Sequence, residues 1–230
     1  LVNKERKIVI YCYEDGSRGR KVLRKILEDR EVKALQSDGY NVYMYIDKEL
    51  VDTEHLCCLA HSRAKFVYAY EQGGDLDAKY IIDCFGELYR LEDTYKLSGL
   101  PAEEITRCRQ SLRTKEIIGR IRSKLDVLLS ATHPPRGELM DKAVNYLHTF
   151  WKQLFAYLND GRYDIDNSIA ERFIRPLAGE RKNSLFFAGS RMANVSAAYH
   201  TLLSTCRMNG LSALEYLKKF FREVVNGRRD

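Results

Sequence analysis

Hydrophobic and polar positions follow two different periods in the first third of the chain. Alternation with a period of two predicts half-buried strands, whereas apolar residues at helical spacing, such as Val22, Leu23, Ile26 and Leu27, predict an amphipathic helix. The predicted elements are a strand at 7–13, a helix at 18–29, a strand at 32–37, a segment at 40–46 that fits either type, a strand at 55–60 and a helix at 62–71. This alternation indicates an α/β core with some parallel strand pairing.

The pattern changes after the glycine pair at 73–74. From there to residue 159 the segments are long and helical in period, with prolines at 101 and 134–135 as breaks, and strand signals are missing. Helices are predicted again at 167–175, limited by Pro176, at 192–207 and at 213–225. We therefore expect a core that begins at 1–74, an all-helical insertion at 75–160, and C-terminal helices of the core at 161–230.

Composition and charge narrow the class of protein only moderately. The 230 residues are 45% hydrophobic and 30% charged, which is ordinary for a globular protein and excludes wholesale disorder. No apolar run approaches the roughly 20 residues that cross a bilayer, and a signal-peptide pattern is absent, so we expect a cytoplasmic protein without a membrane partner. The net charge of +6 favours polyanionic partners mildly. A first strand this close to Leu1 suggests that the sequence starts inside a longer protein.

The six cysteines do not form a disulfide framework, because their spacing is irregular and their density is low. Reduced thiols fit a cytoplasmic protein. Cys58 and His61 have the spacing of half a zinc site, but a structural zinc site needs four ligands and no second pair stands at a suitable distance. A structural role for these two residues beside the sheet is therefore favoured over metal binding.

Asp38 is a candidate catalytic residue because it lies where a predicted strand ends and the chain turns at Gly39. A strand end fixes a carboxylate rigidly while the following loop leaves it accessible. The alternative is a purely local role, since Asp-Gly is a common turn pair whose carboxylate often accepts hydrogen bonds from nearby backbone.

Glu171 is the second candidate, on the helix predicted at 167–175. It points away from the apolar face formed by Ile169 and Phe173. Two structural roles compete with catalysis here: a capping box with Ser168, and an ion pair with Arg175 one helical turn later.

Cations are concentrated around Glu171 and in the segment that follows it. They would suit contacts with the phosphate backbone of a nucleic acid, although a solvated charged surface has the same pattern. The candidate nucleic-acid-binding residues are Arg172, Arg175, Arg181, Lys182, Asn183 and Arg191.

Three blocks, taken together, resemble the insertion sequence 66 family of transposases. They are LQSDGYNVY at 35–43, CLAHSRAKF at 58–66, and IDNSIAERFIRPLAGERKNSLFFAGS at 165–190 followed by AAYHTLLSTCRMNG at 197–210. The resemblance covers nearly the whole chain. It departs from the family at Ser168, where an asparagine is usual, and at Ser184, where an aromatic residue is common.

The resemblance implies a ribonuclease H-like mixed sheet with flanking helices, interrupted by the helical insertion, and an Asp-Asp-Glu metal site. Asp38 matches the second acidic residue of that site and Glu171 the third, while the first lies upstream of Leu1, so this fragment is expected to be inactive alone. Implied cofactors are two Mg²⁺ or Mn²⁺ ions that support DNA strand cleavage and strand transfer. Implied partners are transposon ends, target DNA and further copies of the protein in a synaptic complex. Two alternatives are a non-catalytic DNA-binding or assembly module and a different metal-dependent nuclease.

Overall fold

The computed structural model describes residues 1–14, 20–27, 32–39, 52–130, 136–184, 187 and 189–229. The strands are β1 (Val2–Asn3), β2 (Ile8–Val9), β3 (Ala34–Ser37) and β4 (Glu54–Cys57). The helices are α1 (Arg20–Leu27), α2 (Leu59–Gly73), α3 (Leu76–Leu97), α4 (Ala102–Arg109), α5 (Leu112–Leu129), α6 (Glu138–Thr149), α7 (Trp151–Phe155), α8 (Ser168–Ser184), α9 (Ser190–Met208) and α10 (Ala213–Val225), with a 3₁₀ turn at Ala156–Asn159. The segment predicted at 40–46 lies outside the described residues.

The chain divides into two compact units. The first consists of Leu1–Val22 and Ser168–Asp230, and the second of Leu23–Asn167. Each unit is built mainly from helices, which contain about 70% of the described residues. Each helix in the described part of the chain is too short or too polar to span a bilayer.

A helical core fills the second unit. Helices α2, α3, α5, α6 and α7 bury large apolar side chains against one another, including Phe66, Phe85, Ile121, Leu147 and Leu154, all of which are inaccessible to solvent. Burying a side chain of this size contributes about 1.5–3 kcal/mol, so this cluster is the main source of stability for the unit. Strand β4 packs on the same cluster through Leu56 and Cys57, and strand β3 through Ala34.

Local signals explain where the helices of this core begin and end. Helix α2 ends before Gly74, which adopts a left-handed conformation and donates its N–H to the Tyr70 carbonyl. Helix α3 begins at Leu76, because the Asp75 carboxylate accepts hydrogen bonds from the backbone N–H groups of Asp77 and Ala78. Helices α2 and α3 are thereby joined by a very short connection.

In the first unit, the N-terminal segment packs along helix α9. The Val9 N–H donates to Thr205 Oγ1 over 3.1 Å, and the Tyr11 N–H donates to Thr201 Oγ1 over 3.0 Å. The Tyr11 hydroxyl also donates to the Phe173 carbonyl in the middle of helix α8. These bonds fix the position of α8 against α9 within the unit.

The expectation of an α/β, ribonuclease H-like mixed sheet is wrong for the described residues. They contain only two small sheets, an antiparallel pair of β1 with β2 and a parallel pair of β3 with β4. The predicted strand at 7–13 is reduced to Ile8–Val9, the one at 32–37 keeps its last four residues, and the one at 55–60 keeps only 55–57, because the strand there is Glu54–Cys57. Alternation fits any half-buried extended segment, and pairing depends on tertiary neighbours that a local pattern does not report.

The predicted C-terminal helices are confirmed, with one correction. The helix predicted at 213–225 has these bounds, and the helix predicted at 192–207 extends to Ser190–Met208. Helix α8, in contrast, does not end before Pro176 but continues to Ser184. Proline removes one N–H donor and crowds the preceding turn, at a cost of about 3 kcal/mol in a helix interior. The hydrogen bond from the Tyr11 hydroxyl to the Phe173 carbonyl, in the preceding turn, supports α8 at this point.

Candidate functional site

The carboxyl ends of strands β3 and β4 form one edge of the parallel pair. Ser37 is paired in register with Cys57, and the Cys58 N–H donates to the Ser37 carbonyl over 2.9 Å. Neighbouring strands lie about 4.8 Å apart, so the residues that follow them, Asp38 and Cys58, are neighbours at this edge. The sequence-predicted position of Asp38 at a strand end is therefore confirmed.

The backbone at Asp38 is held from two sides while its side chain is exposed. The Tyr146 hydroxyl, on helix α6, donates to the Asp38 carbonyl over 2.9 Å. The next residue, Gly39, is buried, donates its N–H to Ser37 Oγ over 3.3 Å, and has a φ of +75°. A β-carbon on Gly39 would lie 2.1 Å from the Tyr146 hydroxyl oxygen. Glycine is thus required at this turn by both the dihedral angle and the space.

The chain segment that leads into helix α8 runs along the same edge. Gln36 Nε2 donates to the Asp164 carbonyl over 2.9 Å, and the Leu59 N–H donates to the Ile165 carbonyl over 3.2 Å. The Asn167 N–H donates to Cys58 Sγ over 3.2 Å. Residues 164–167 are therefore fixed beside the ends of β3 and β4 and the start of α2.

Cys58 takes part in this arrangement as a buried thiol. Burial raises its pKa, an effect that the hydrogen bond from Asn167 opposes in part. Without a metal ion, a thiol with a raised pKa stays protonated near neutral pH. Cys58 also contacts Asn167, and the structural role favoured from the sequence stays a prediction.

Asp166 is a further carboxylate at this edge, and the sequence pattern did not single it out. It lies between two residues that bond to the start of α2, and its charge acts on Cys58 and on Tyr89 of helix α3. Burial first, and then the Asp166 carboxylate, raise the pKa of Tyr89. The available signal was its position directly before Asn167 in the third matched block.

A buried arginine secures the loop that precedes residues 164–167. Arg109 makes a two-pronged ion pair with Glu92, with Nε–Oε1 and Nη2–Oε2 distances of 2.9 and 2.7 Å. Its remaining N–H groups donate to the carbonyls of Tyr157, Asp160 and Tyr163 over 2.6, 2.6 and 2.9 Å. Charged residues are usually exposed, so this buried role could not be predicted from the residue type.

Glu171 lies in the first turn of helix α8, in the first unit. Phe173 on the opposite side of the helix is buried, whereas Glu171 is half-buried. Arg175 and Lys182 follow at four and eleven residues, so both share the face of Glu171 and both are exposed. One face of α8 thus presents a carboxylate followed by two cations.

The other predicted nucleic-acid-binding residues are also in the first unit. Arg172 and Asn183 are exposed on α8, and Arg191 is exposed in the first turn of α9. Arg181 lies within α8, and its side chain is outside the described residues. The structure therefore brings Asp38 together with Cys58 and Asp166 in one unit, and Glu171 together with the predicted cations in the other.

Comparisons with known proteins agree on one family. Residues 1–195 match the model of the Transposase IS66 family. The uncharacterized proteins y4jD and y4qI of Sinorhizobium fredii (strain NBRC 101917 / NGR234) are 27% and 31% identical, over 94% and 96% of this chain. The chain spans 42% and 41% of the length of these two relatives. No solved structure matches. This chain belongs to the IS66 family of transposases.

Proposed function

We propose that this chain forms part of a DNA transposase domain that cleaves and joins the strands of an insertion sequence, with Asp38 and Glu171 as two carboxylate ligands of divalent metal ions. The observation that carries the proposal is the exposed Asp38 carboxylate on a backbone fixed by Tyr146 and Gly39. Membership of a transposase family supports the type of reaction.

Family membership supports the pairing of Asp38 with Glu171. Both residues lie within residues 1–195, the part of the chain that matches the transposase family.

The proposed donor groups fit a hard divalent cation. Asp38 and Glu171 offer carboxylate oxygens, the ligands that Mg²⁺ and Mn²⁺ prefer. The nearby sulfur atom of Cys58 is buried and accepts a hydrogen bond from the Asn167 N–H. When bound, such ions would activate a water or a 3′-hydroxyl and stabilise the charge that develops at phosphorus.

The chain's own cations would hold the DNA during this reaction. Arg175 and Lys182 lie about 6 and 16 Å along the α8 axis from Glu171, so both would lie beside the phosphate backbone of a strand bound at that carboxylate. Arg172, Arg181, Asn183 and Arg191 extend the surface. Transposon ends, target DNA and further copies of the protein are the proposed partners.

Site-directed variants of the transposase that carries this chain test the proposal. Asp38→Asn and Glu171→Gln should each abolish cleavage of a labelled duplex that contains an end of the element, with little loss of DNA affinity. A matched control is Asp83→Asn, which alters an exposed carboxylate on α3 that pairs with Lys79. Wild-type cleavage by either site variant would refute the assignment, and DNA binding without any cleavage by the wild type would favour the non-catalytic alternative.

Removal of the α8 cations should produce a different defect. Replacing Arg175 and Lys182 by glutamine should weaken DNA binding and reduce the slope of log affinity against log salt by roughly 2, because each lost phosphate contact contributes about one unit. Fluorescence anisotropy at several salt concentrations measures the slope. An unchanged slope would show that these two side chains do not contact phosphates.

A further inference from the structure

Tyr146 has a combination of contacts that its place in the helical core does not require. Its ring packs against Phe150 with a centroid distance of 4.9 Å, and Lys65 Nζ lies 5.0 Å from the ring centroid. Its hydroxyl extends to the strand edge and donates to the Asp38 carbonyl. A phenylalanine would pack equally well in the core but could not make this bond.

Tyr146 and the turn at residues 38–39 each restrict the position of the other. The hydroxyl occupies the space where a side chain of residue 39 would otherwise lie, 2.1 Å from an ideal β-carbon position. The ring contacts with Phe150 and Lys65 restrict the hydroxyl to that location. The Asp38 carbonyl accepts a hydrogen bond from the Tyr146 hydroxyl, and the Gly39 N–H donates to Ser37 Oγ. These two bonds limit rotation of the Asp38 backbone.

We propose that Tyr146 is a positioning residue for Asp38: its hydroxyl fixes the Asp38–Gly39 peptide so that the exposed carboxylate is directed to a divalent cation. This inference rests on the proposed function. Groups that orient a metal ligand through hydrogen bonds typically change metal affinity or activity by 10- to 100-fold when they are removed.

Binding of Mn²⁺ to the transposase that carries this chain, measured from the electron paramagnetic resonance signal of the free ion, tests the inference without a DNA substrate. Tyr146→Phe should raise the Mn²⁺ dissociation constant roughly tenfold, while the melting temperature falls by only about 2–4 °C. The matched control is Tyr95→Phe, which also removes a hydroxyl that donates to a backbone carbonyl, that of Cys108. The control should have a similar or smaller effect on melting and no effect on Mn²⁺ affinity.

Asp38→Asn, alone and combined with Tyr146→Phe, separates the possible outcomes. If Tyr146 acts through Asp38, the double variant binds Mn²⁺ no more weakly than Asp38→Asn. Weakened binding in Asp38→Asn with wild-type affinity in Tyr146→Phe would overturn the role of Tyr146 and leave the proposed function intact. Wild-type affinity in Asp38→Asn would overturn the metal role of Asp38, and the positioning role with it.

Discussion

Replacement of Arg109 by methionine should cause one of the largest losses of stability in the second unit. The side chains of Arg109 and Glu92 are only 3% and 5% exposed, and the arginine also donates to three backbone carbonyls. The variant leaves a buried carboxylate and these carbonyls without their donor. Breaking a buried ion pair in this way costs about 3–5 kcal/mol, which lowers the melting temperature of a chain this long by roughly 10 °C.

Urea unfolding followed by tryptophan fluorescence measures this loss directly. The single tryptophan, Trp151, packs on Phe155 in helix α7 of the same unit. Arg107→Met is the matched control, because Arg107 is on the same helix but its ion pair with Glu104 is exposed. The control should change the free energy of unfolding by about 0.5 kcal/mol or less.

A second substitution tests the physical cause of the Arg109 effect. Changing Glu92 to methionine in the Arg109→Met background removes the uncompensated charge, so the double variant should be more stable than Arg109→Met alone. Two results would refute the reasoning: a loss below about 1 kcal/mol for Arg109→Met, or a double variant that loses the sum of both single losses.

The remaining predictions concern the turn at Gly39 and the cysteines. Gly39→Ala should destabilise the protein by about 1–2 kcal/mol from the left-handed dihedral alone, and the clash with Tyr146 should add to this loss. Gly86→Ala in helix α3 meets no atom within 4 Å and should stabilise the protein by up to about 1 kcal/mol. Thermal unfolding compares the two variants, and equal effects would contradict the requirement for glycine at residue 39. Exposed Cys12 should react rapidly with a thiol reagent at pH 8 while buried Cys58 reacts only after unfolding. Because burial raises the pKa of Cys58, its contribution to stability is complete below the ordinary thiol pKa near 9 and is lost as pH rises beyond it; a Cys58→Ala variant with the same loss of stability at high pH would exclude this source.

Helices were predictable from sequence where one apolar face repeats at helical spacing. Helix α10 is an example, since Leu214, Leu217, Phe221 and Val224 define its face and its bounds agree with the prediction. The sheet was not predictable to the same degree, because alternating residues at 7–13 report an extended chain and not its partner. Only Ile8 and Val9 pair, and they pair with the short strand Val2–Asn3.

The candidate site was predictable only in part, for a related reason. Asp38 could be located from the strand and the following glycine, which are adjacent in sequence. Tyr146 could not, because it is 108 residues away and looks like any aromatic residue on a helix. Arg109 was equally hidden, since a charged residue on an amphipathic helix is normally solvated.

The most direct test of the metal site is iron-mediated cleavage of the polypeptide itself. Fe²⁺ can replace Mg²⁺ at oxygen ligands, and with ascorbate and peroxide it generates radicals that cut the backbone close to the ion. Mass spectrometry of the fragments should show cuts near both Asp38 and Glu171 that excess Mg²⁺ suppresses and that Asp38→Asn eliminates together. Cuts near only one of these residues, or cuts that persist in Asp38→Asn, would contradict a shared site.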